Sequence, residues 1–466
     1  MNNANSRERP ARARAASTHD AHATAAQTAN PPEPTRLAIY YLLIVTQAVS
    51  QVGSQVSAYA VGIAVFRATG HATPLALVAF FSVAPAVLLG GIGGAVVDRF
   101  DRRGLMLAAN VGYVVLGGLL LASFASGAFQ LWHLYAVTFA AAVFAALERP
   151  AFQASVAMLV PDRHRDRANA IAQMAVPTAG VIAPAIAGLL YALAGVAGAI
   201  IIDISTFVAA IGVLAVVRIP RPAQTAEGAA MRAHLWRQVF DGFRYLAARP
   251  ALLGFNAYEA VVNFIANTVM VLLTPYVLAR TDSAQLFGAV LAVMNLGGIA
   301  GSLVIGTVGR VGSRMHTVML GTVAAGACIG LAGVSQSAPL IAASLFVMMF
   351  ALAFSNTTFD SMMQAKIPPD LQGRVFAALL QAALLLTPIA VLAAGPLADR
   401  VFEPARGERA WRSIAWLVGG APGAGMGLMF AIAGALIVAL SLAVYAIPAI
   451  RRLERDLPDY TAAAAE

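Results

Sequence analysis

The chain has 466 residues, of which 59% are hydrophobic and only 11% are charged, and its formal net charge is +9. Soluble domains have about 45–50% apolar and about 25% charged residues, so this composition excludes a soluble fold and predicts that most of the chain lies in lipid. The positive charge does not indicate nucleic-acid binding, because the arginines are spread over the loops between apolar runs.

Twelve apolar runs follow one another along the chain, and each is long enough for the roughly 20 residues that a helix needs to cross a bilayer. The sequence therefore predicts an all-α membrane protein with twelve transmembrane helices. The predicted spans are residues 37–66, 74–97, 104–125, 131–157, 168–194, 197–217, 251–279, 285–308, 315–334, 338–363, 374–399 and 425–448.

The spans fall into two sets of six, separated by a polar segment in which residues 234–246 have the pattern of an amphipathic surface helix. Both sets contain a Pro-Asp pair followed at the same spacing by alanine and glutamine, which suggests related halves. The predicted divisions are a disordered cytoplasmic tail at 1–34, an N-terminal six-helix bundle at 35–219, a cytoplasmic linker at 220–250, a C-terminal six-helix bundle at 251–450 and a cytoplasmic tail at 451–466.

The positions of the arginines predict the topology. Most of the 31 Lys and Arg residues lie in the N-terminal tail and in every second connection between spans, which places them on one face of the membrane. By the positive-inside rule this face is cytoplasmic. Because the number of spans is even, both termini are predicted to be cytoplasmic, in a bacterial inner membrane.

A loop rich in glycine and charge follows the second span. It runs from Gly94 through Asp98-Arg99 to Arg102-Arg103. Glycine lets a neighbouring helix approach closely. A carboxylate at the membrane edge can face a helix N-terminus or an arginine.

This loop resembles the signature loop of the major facilitator superfamily, and the resemblance implies two pseudo-symmetric six-helix bundles. It also implies that Asp98 caps the start of the eleventh helix, near Gly373-Arg374, and holds the outward-open state. The matching arginine of the family pairs with an acid near the fourth helix, for which Glu148 is the candidate. The predicted gate residues are Gly94, Asp98, Arg99, Arg102, Arg103 and Glu148.

Two further segments carry the resemblance. The sequence from Pro150 to Ala170 resembles the connection between the fourth and fifth helices in the branch that includes macrolide and enterobactin exporters. Gly180, Pro184 and Gly188 resemble the antiporter motif of the fifth helix, with alanine in place of two of its glycines. The alternative for this motif is a plain packing and kink role.

Three spans carry polar side chains on one helical face. The resemblance implies that the first, fourth, seventh and tenth helices line a central cavity. The polar faces fall on three of these four helices, so their side chains are predicted to contact substrate. The alternative is hydrogen bonding between helices. The predicted cavity residues are Gln47, Gln51 and Gln55 in the first span, Asn256, Asn263 and Asn267 in the seventh, and Asn356 and Gln364 in the tenth.

Three acidic residues within the spans are predicted to couple transport to protons. Glu259 lies roughly 12 Å into the seventh span, at a depth where lipid favours the neutral, protonated carboxyl group. The alternative is a neutral structural glutamate. Asp203 lies in the sixth span, where a structural partner is the favoured alternative. Asp360 lies near the cytoplasmic end of the tenth span, where it would gate the cavity or meet water.

No Gly-x-x-x-x-Gly-Lys, His-Glu-x-x-His or Gly-x-Ser-x-Gly motif occurs in the sequence. We therefore expect a transporter rather than an enzyme, with no metal and no cofactor. The leading hypothesis is a monomeric, proton-coupled exporter of an amphiphilic small molecule such as a drug, macrolide or siderophore. The alternatives are an importer of a small metabolite, and a non-transporting sensor or lipid translocator on the same scaffold.

Overall fold

The computed structural model describes residues 33–97, 101–160, 165–217, 244–308, 312–367 and 369–456. Within these ranges the chain is largely helical and contains no β-strand. Long helices are the expected form of a chain in lipid, because they satisfy every backbone hydrogen bond within one segment. The predicted all-α class is confirmed.

The first half of the chain forms six helices that follow the predicted spans closely. The stretch Arg165–Val216 is helical except at Gly195, where a positive φ of 62° breaks it. The segments before and after this break are α5 (165–194) and α6 (196–216). The other helices are α1 (Glu33–Thr69), α2 (Thr73–Val97), α3 (Arg102–Ala125) and α4 (Leu131–Leu159).

The second half forms α7 to α12. Helix α11 consists of two pieces, Pro369–Leu384 and Thr387–Leu397, separated by a turn. Four short helices lie between α11 and α12, of which the first is a π-helix that continues α11: Ala398–Phe402, Pro404–Gly407, Arg409–Ser413 and Ala415–Val418. The remaining helices are α7 (Pro250–Thr281), α8 (Ala284–Val308), α9 (Arg314–Val334), α10 (Ala338–Lys366) and α12 (Ala424–Ala446).

Ten helical stretches in the described ranges are long and apolar enough to cross a membrane. The break at Gly195 divides one of them into two, and α2 adds a further apolar helix of 25 residues. Only ten stretches of the described chain meet the length and apolarity needed to cross a membrane, so the number of twelve spans stays a prediction. Residues 1–32, 218–243 and 457–466, which include most of the predicted tails and most of the predicted surface helix, lie outside the described residues.

Apolar side chains divide between the interior and the lipid-facing surface. Phe255, Phe287 and Phe430 in the second half are fully buried in one continuous core. Other large apolar side chains point away from the bundle, and Leu193 is 75% exposed. Exposure of this kind is favourable only in lipid, which agrees with the length and composition of the helices.

The molecule has two ends, which we name by the positions of the terminal helices. The near end is where α1 begins and α12 finishes, and the far end is the opposite one. At the far end the two halves touch. The Arg67 guanidinium donates to the Asp282 carbonyl at 3.4 Å, and the Tyr59 and Phe287 rings lie 6.0 Å apart. These contacts close the far end of the space between the halves.

Candidate functional site

The polar side chains of α7 are of two kinds. The amides of Asn263 and Asn267 donate to the carbonyls of Glu259 and Asn263, at 2.9 and 2.8 Å, within their own helix. These bonds join no two helices, so they do not support the alternative of hydrogen bonding between helices. Asn256 differs, because it is 5% exposed and its amide lies 3.5 Å from the Leu379 carbonyl of α11. Its contact is the interhelical kind.

Glu259 lies one helical turn beyond Phe255, whose ring stacks on Phe359 of α10 at 5.2 Å. Asp360 is the next residue after Phe359. Glu259 and Asp360 therefore lie on either side of the Phe255–Phe359 contact between α7 and α10. Glu259 is about 14 Å from the near end of α7, and Asp360 is about 9 Å from the near end of α10. Among the residues that the structure describes, none forms a hydrogen bond or ion pair with the half-buried Glu259 carboxyl group.

The polar stripes of α1 and α10 are similarly unpaired. On α10 the stripe is exposed, and on α1 it is half-buried. A polar side chain that faces lipid is costly, so an unpaired stripe at this depth indicates a surface that meets water or a ligand. Within the described ranges no hydrogen bond is formed by the side chains of Gln47, Gln51, Gln55, Asn356, Asp360 or Gln364.

Asp203 has a partner on another helix. Its Oδ1 accepts a hydrogen bond from the Ser54 hydroxyl of α1 at 3.0 Å, and its backbone carbonyl accepts one from Thr206 at 2.7 Å. The carboxyl group therefore joins α6 to α1. This arrangement corresponds to the structural alternative for Asp203, whereas its role in proton coupling stays a prediction.

Glu148 is 6% exposed and is held by α3. Its Oε1 accepts from the Asn110 amide and its Oε2 from the Tyr113 hydroxyl, both at 3.0 Å. Arg102, the expected partner, lies at the start of α3, about 12 Å along the axis from Asn110. Both carboxylate oxygens of Glu148 are therefore bonded to residues further along α3 than Arg102, the partner that the resemblance suggested.

Of the remaining predicted gate residues, the structure describes Arg103 and Gly94. Arg103 donates to the Leu214 and Ala215 carbonyls at 2.8 and 2.6 Å, and so caps the end of α6 with a cation. Gly94 lies in the last turn of α2. Asp98 and Arg99 lie outside the described residues, so the cap of α11 by Asp98 stays a prediction.

The antiporter-like motif of α5 lies against α8 at the contact between the halves. A Cβ on Gly188 would lie 2.6 Å from the Ala284 carbonyl oxygen, and one on Gly288 would meet the Pro184 carbonyl. Gly180 faces the Asn295 side chain further towards the near end. The two backbones therefore touch without an intervening side chain, which is the packing role of the motif.

Sequence reasoning missed one acid that joins the halves. Asp399, after α11, accepts hydrogen bonds from the backbone of Ala72 and Thr73 at the start of α2. A signal was present, because Gly395, Asp399 and Arg400 repeat the Gly-x-x-x-Asp-Arg spacing of the loop after the second span.

Ten long apolar stretches in the described ranges, two halves in contact at the far end, and unpaired polar side chains on α1, α7 and α10 are features of a membrane transporter. The model of the Major Facilitator Superfamily matches residues 43–384, and the chain belongs to this superfamily. Its relatives are transporters, so the assignment is to transport and not to catalysis.

The similar proteins include members of the expected branch. Macrolide efflux protein A of Streptococcus pyogenes is 22% identical over 418 residues, which cover 89% of this chain and 97% of that protein. Enterobactin exporter EntS of Shigella flexneri is 27% identical over 289 residues, covering 61% of this chain and 66% of that protein. The resemblance to this branch is confirmed.

Solved structures show the same fold. A bacterial homologue of the human lysosomal transporter Spinster, in an inward-facing and unoccupied conformation, has a TM-score of 0.70 at 14% identity, covering 93% of this chain and 100% of that one. The nucleoside transporter NupG has a TM-score of 0.64 at 12% identity, covering 88% and 98%. The predicted major facilitator fold is confirmed, whereas the division into two bundles of six helices stays a prediction.

Proposed function

We propose that this chain is a proton-driven exporter that carries an amphiphilic small molecule out of a bacterial cell by alternating access. The observation that carries the proposal is the set of unpaired polar side chains on α1, α7 and α10, with Glu259 among them. Such groups inside apolar helices need a ligand or water. Amides predominate over charges in this set, which suits an amphiphile better than a small ion.

Glu259 is the proposed proton carrier. It is half-buried, and in the described part of the chain it has no partner that would hold its charge in one state. Lipid-like surroundings favour its protonated form, and access to water favours the ionised form. A carboxyl group that alternates between the two as the protein changes conformation moves one proton per cycle. Asp360, beside the same α7–α10 contact, is the second candidate.

The proposed direction is export, supported by the macrolide and enterobactin exporters among the relatives. The near end is taken as cytoplasmic from the distribution of arginines, so the conformation described here is closed to the outside. The protein is proposed to act as a monomer in the inner membrane. One proton moving through 100 mV supplies about 2.3 kcal/mol, enough for roughly a 50-fold gradient of a neutral cargo.

The test is energised transport in inverted membrane vesicles. The cargo panel contains fluorescent amphiphiles and one catecholate siderophore, each measured with and without a proton uncoupler. We expect accumulation of at least one compound, abolished by the uncoupler. Vesicles from cells without the protein give the background. Accumulation that persists with the uncoupler would exclude proton drive, and cargo movement only in right-side-out vesicles would indicate import.

A further inference from the structure

One carboxylate of the second half makes several polar contacts with the first half. Asp399 follows the last turn of α11, and its side chain is 12% exposed. Its Oδ1 accepts from the Ala72 amide at 2.8 Å, and its Oδ2 accepts from the Thr73 amide at 2.7 Å and the Thr73 hydroxyl at 2.6 Å. One acid of the second half thus takes three donors from the first half.

The chemistry of this contact favours a charged side chain. The first amides of a helix have no partner within the helix, and the aligned peptide dipoles make that end positive. A carboxylate placed there forms charge-assisted hydrogen bonds. His71 adds a weaker contact, because its Nδ1 lies 3.9 Å from Asp399 Oδ1 and its side chain is 67% exposed.

The helices touch beside this contact. A Cβ on Gly395 would lie 2.5 Å from Thr73 Cα and 2.8 Å from the Ala76 Cβ. Only glycine allows α11 to approach α2 to this distance. Gly395 therefore sets the separation at which the Asp399 carboxylate reaches the start of α2.

The two helices have related endings. The last turn of α2 contains Gly94, which begins the sequence Gly94-x-x-x-Asp98-Arg99, and the last turn of α11 contains Gly395, which begins the sequence Gly395-x-x-x-Asp399-Arg400. They run in opposite directions, since α2 starts at the far end and α11 finishes there. Each motif therefore lies at the membrane end where the other helix begins.

We propose that Asp399 is a latch that holds the far end closed, and that its carboxylate must leave the start of α2 before the far end opens. The proposal rests on the alternating access proposed above. It makes Asp399 the far-end counterpart of Asp98, whose predicted partner is the start of α11 at the near end. Loss of the latch shifts the population towards the state that is open at the far end.

The experiment measures the far-end distance without any cargo. Ser126 and Ser413 are exposed far-end residues of the two halves. In a full-length Cys328→Ala background, Ser126→Cys and Ser413→Cys carry spin labels for pulsed electron paramagnetic resonance. We expect a dominant short distance in the parent. Asp399→Asn removes the charge of the acceptor and turns an amide donor towards the donors of α2, so that at least one of them loses its partner, and it should raise the ratio of long to short distances about fivefold to thirtyfold.

Two further variants make the result specific. Thr73→Val removes only the hydroxyl donor and should give a smaller shift in the same direction, whereas Thr73→Ser should give none. Glu408→Gln is the matched control, because it neutralises an exposed far-end acid of the second half whose side chain forms no hydrogen bond or ion pair in the described residues. A folded Asp399→Asn protein with the parent distribution would overturn the latch, as would an equal shift in Glu408→Gln. Because no cargo is used, these outcomes are independent of whether the vesicle experiment supports export.

Discussion

At the scale of single residues, hydrogen-bond partners separate the polar groups of the spans into structural and exposed ones. Glu148 and Asp203 also lie within apolar helices, but both are fixed by donors on neighbouring helices. A fixed carboxyl group changes its proton only if that network breaks. Glu259 is under no such restraint within the described chain, and for this reason we propose it, rather than the other two acids, as the proton carrier.

This difference predicts the behaviour of Glu259→Gln. Glutamine has the size of a protonated glutamate but cannot release a proton, so the variant should lose uphill transport and keep downhill exchange. At 100 mV the accumulation ratio should fall from about 50-fold to near unity. Exchange by the variant should not change between acid and alkaline pH, as measured in the inverted vesicles.

Glu259→Asp is the control, because it keeps a titratable group at the same position and should retain part of the coupling. Unchanged uphill transport by Glu259→Gln would remove Glu259 from the mechanism and leave Asp360 as the carrier to test next.

At the scale of helices, the contact between α5 and α8 is made by backbone. The small residues of the antiporter-like motif let the Pro184 and Ala284 carbonyls approach the opposite helix. Dispersion contacts act over short distances, so two flat helix surfaces that meet closely are stabilised along their whole length. The same surfaces are sensitive to a single added methyl group.

Gly288→Ala should therefore weaken the closed far end. Its Cβ would meet the Pro184 carbonyl, and overpacking of this kind costs about 1–3 kcal/mol. The ratio of long to short distances between the labels at 126 and 413 should rise accordingly. Gly298→Ala, in the same helix with no atom within 4 Å of its Cβ, is the matched control and should leave the distribution unchanged.

The helices themselves could be predicted from sequence, because the length of an apolar run is a local property. Even the break at Gly195 falls between two predicted spans. Partners could not be predicted in this way. Asp399 and its α2 donors are more than 300 residues apart in sequence, and the hydrogen-bond donors to Glu148 lie on another helix. The polar stripes were visible as patterns, but only the structure shows that Asn256 points to α11 while its neighbours do not.

At the scale of the whole molecule, the positions of the two ends lead to a test of topology. The near end contains Arg451, Arg452 and Arg455, in agreement with a cytoplasmic assignment. In the cysteine-free background, Ser126→Cys should react with a membrane-impermeant maleimide in intact spheroplasts. Arg452→Cys should react only after permeabilisation. The reverse pattern would invert the proposed orientation and turn the far-end latch into a cytoplasmic one.

The backbone contact between α5 and α8 also bears on leakage. Under the proposed proton coupling, unpaired polar groups with a titratable carboxyl group among them would offer protons a route through much of the bilayer. Where Gly188 meets the Ala284 carbonyl, the separation leaves no room for a file of water molecules. The tightness of that contact would then set the proton current through the protein in the absence of cargo, and with it the loss of membrane potential between transport cycles.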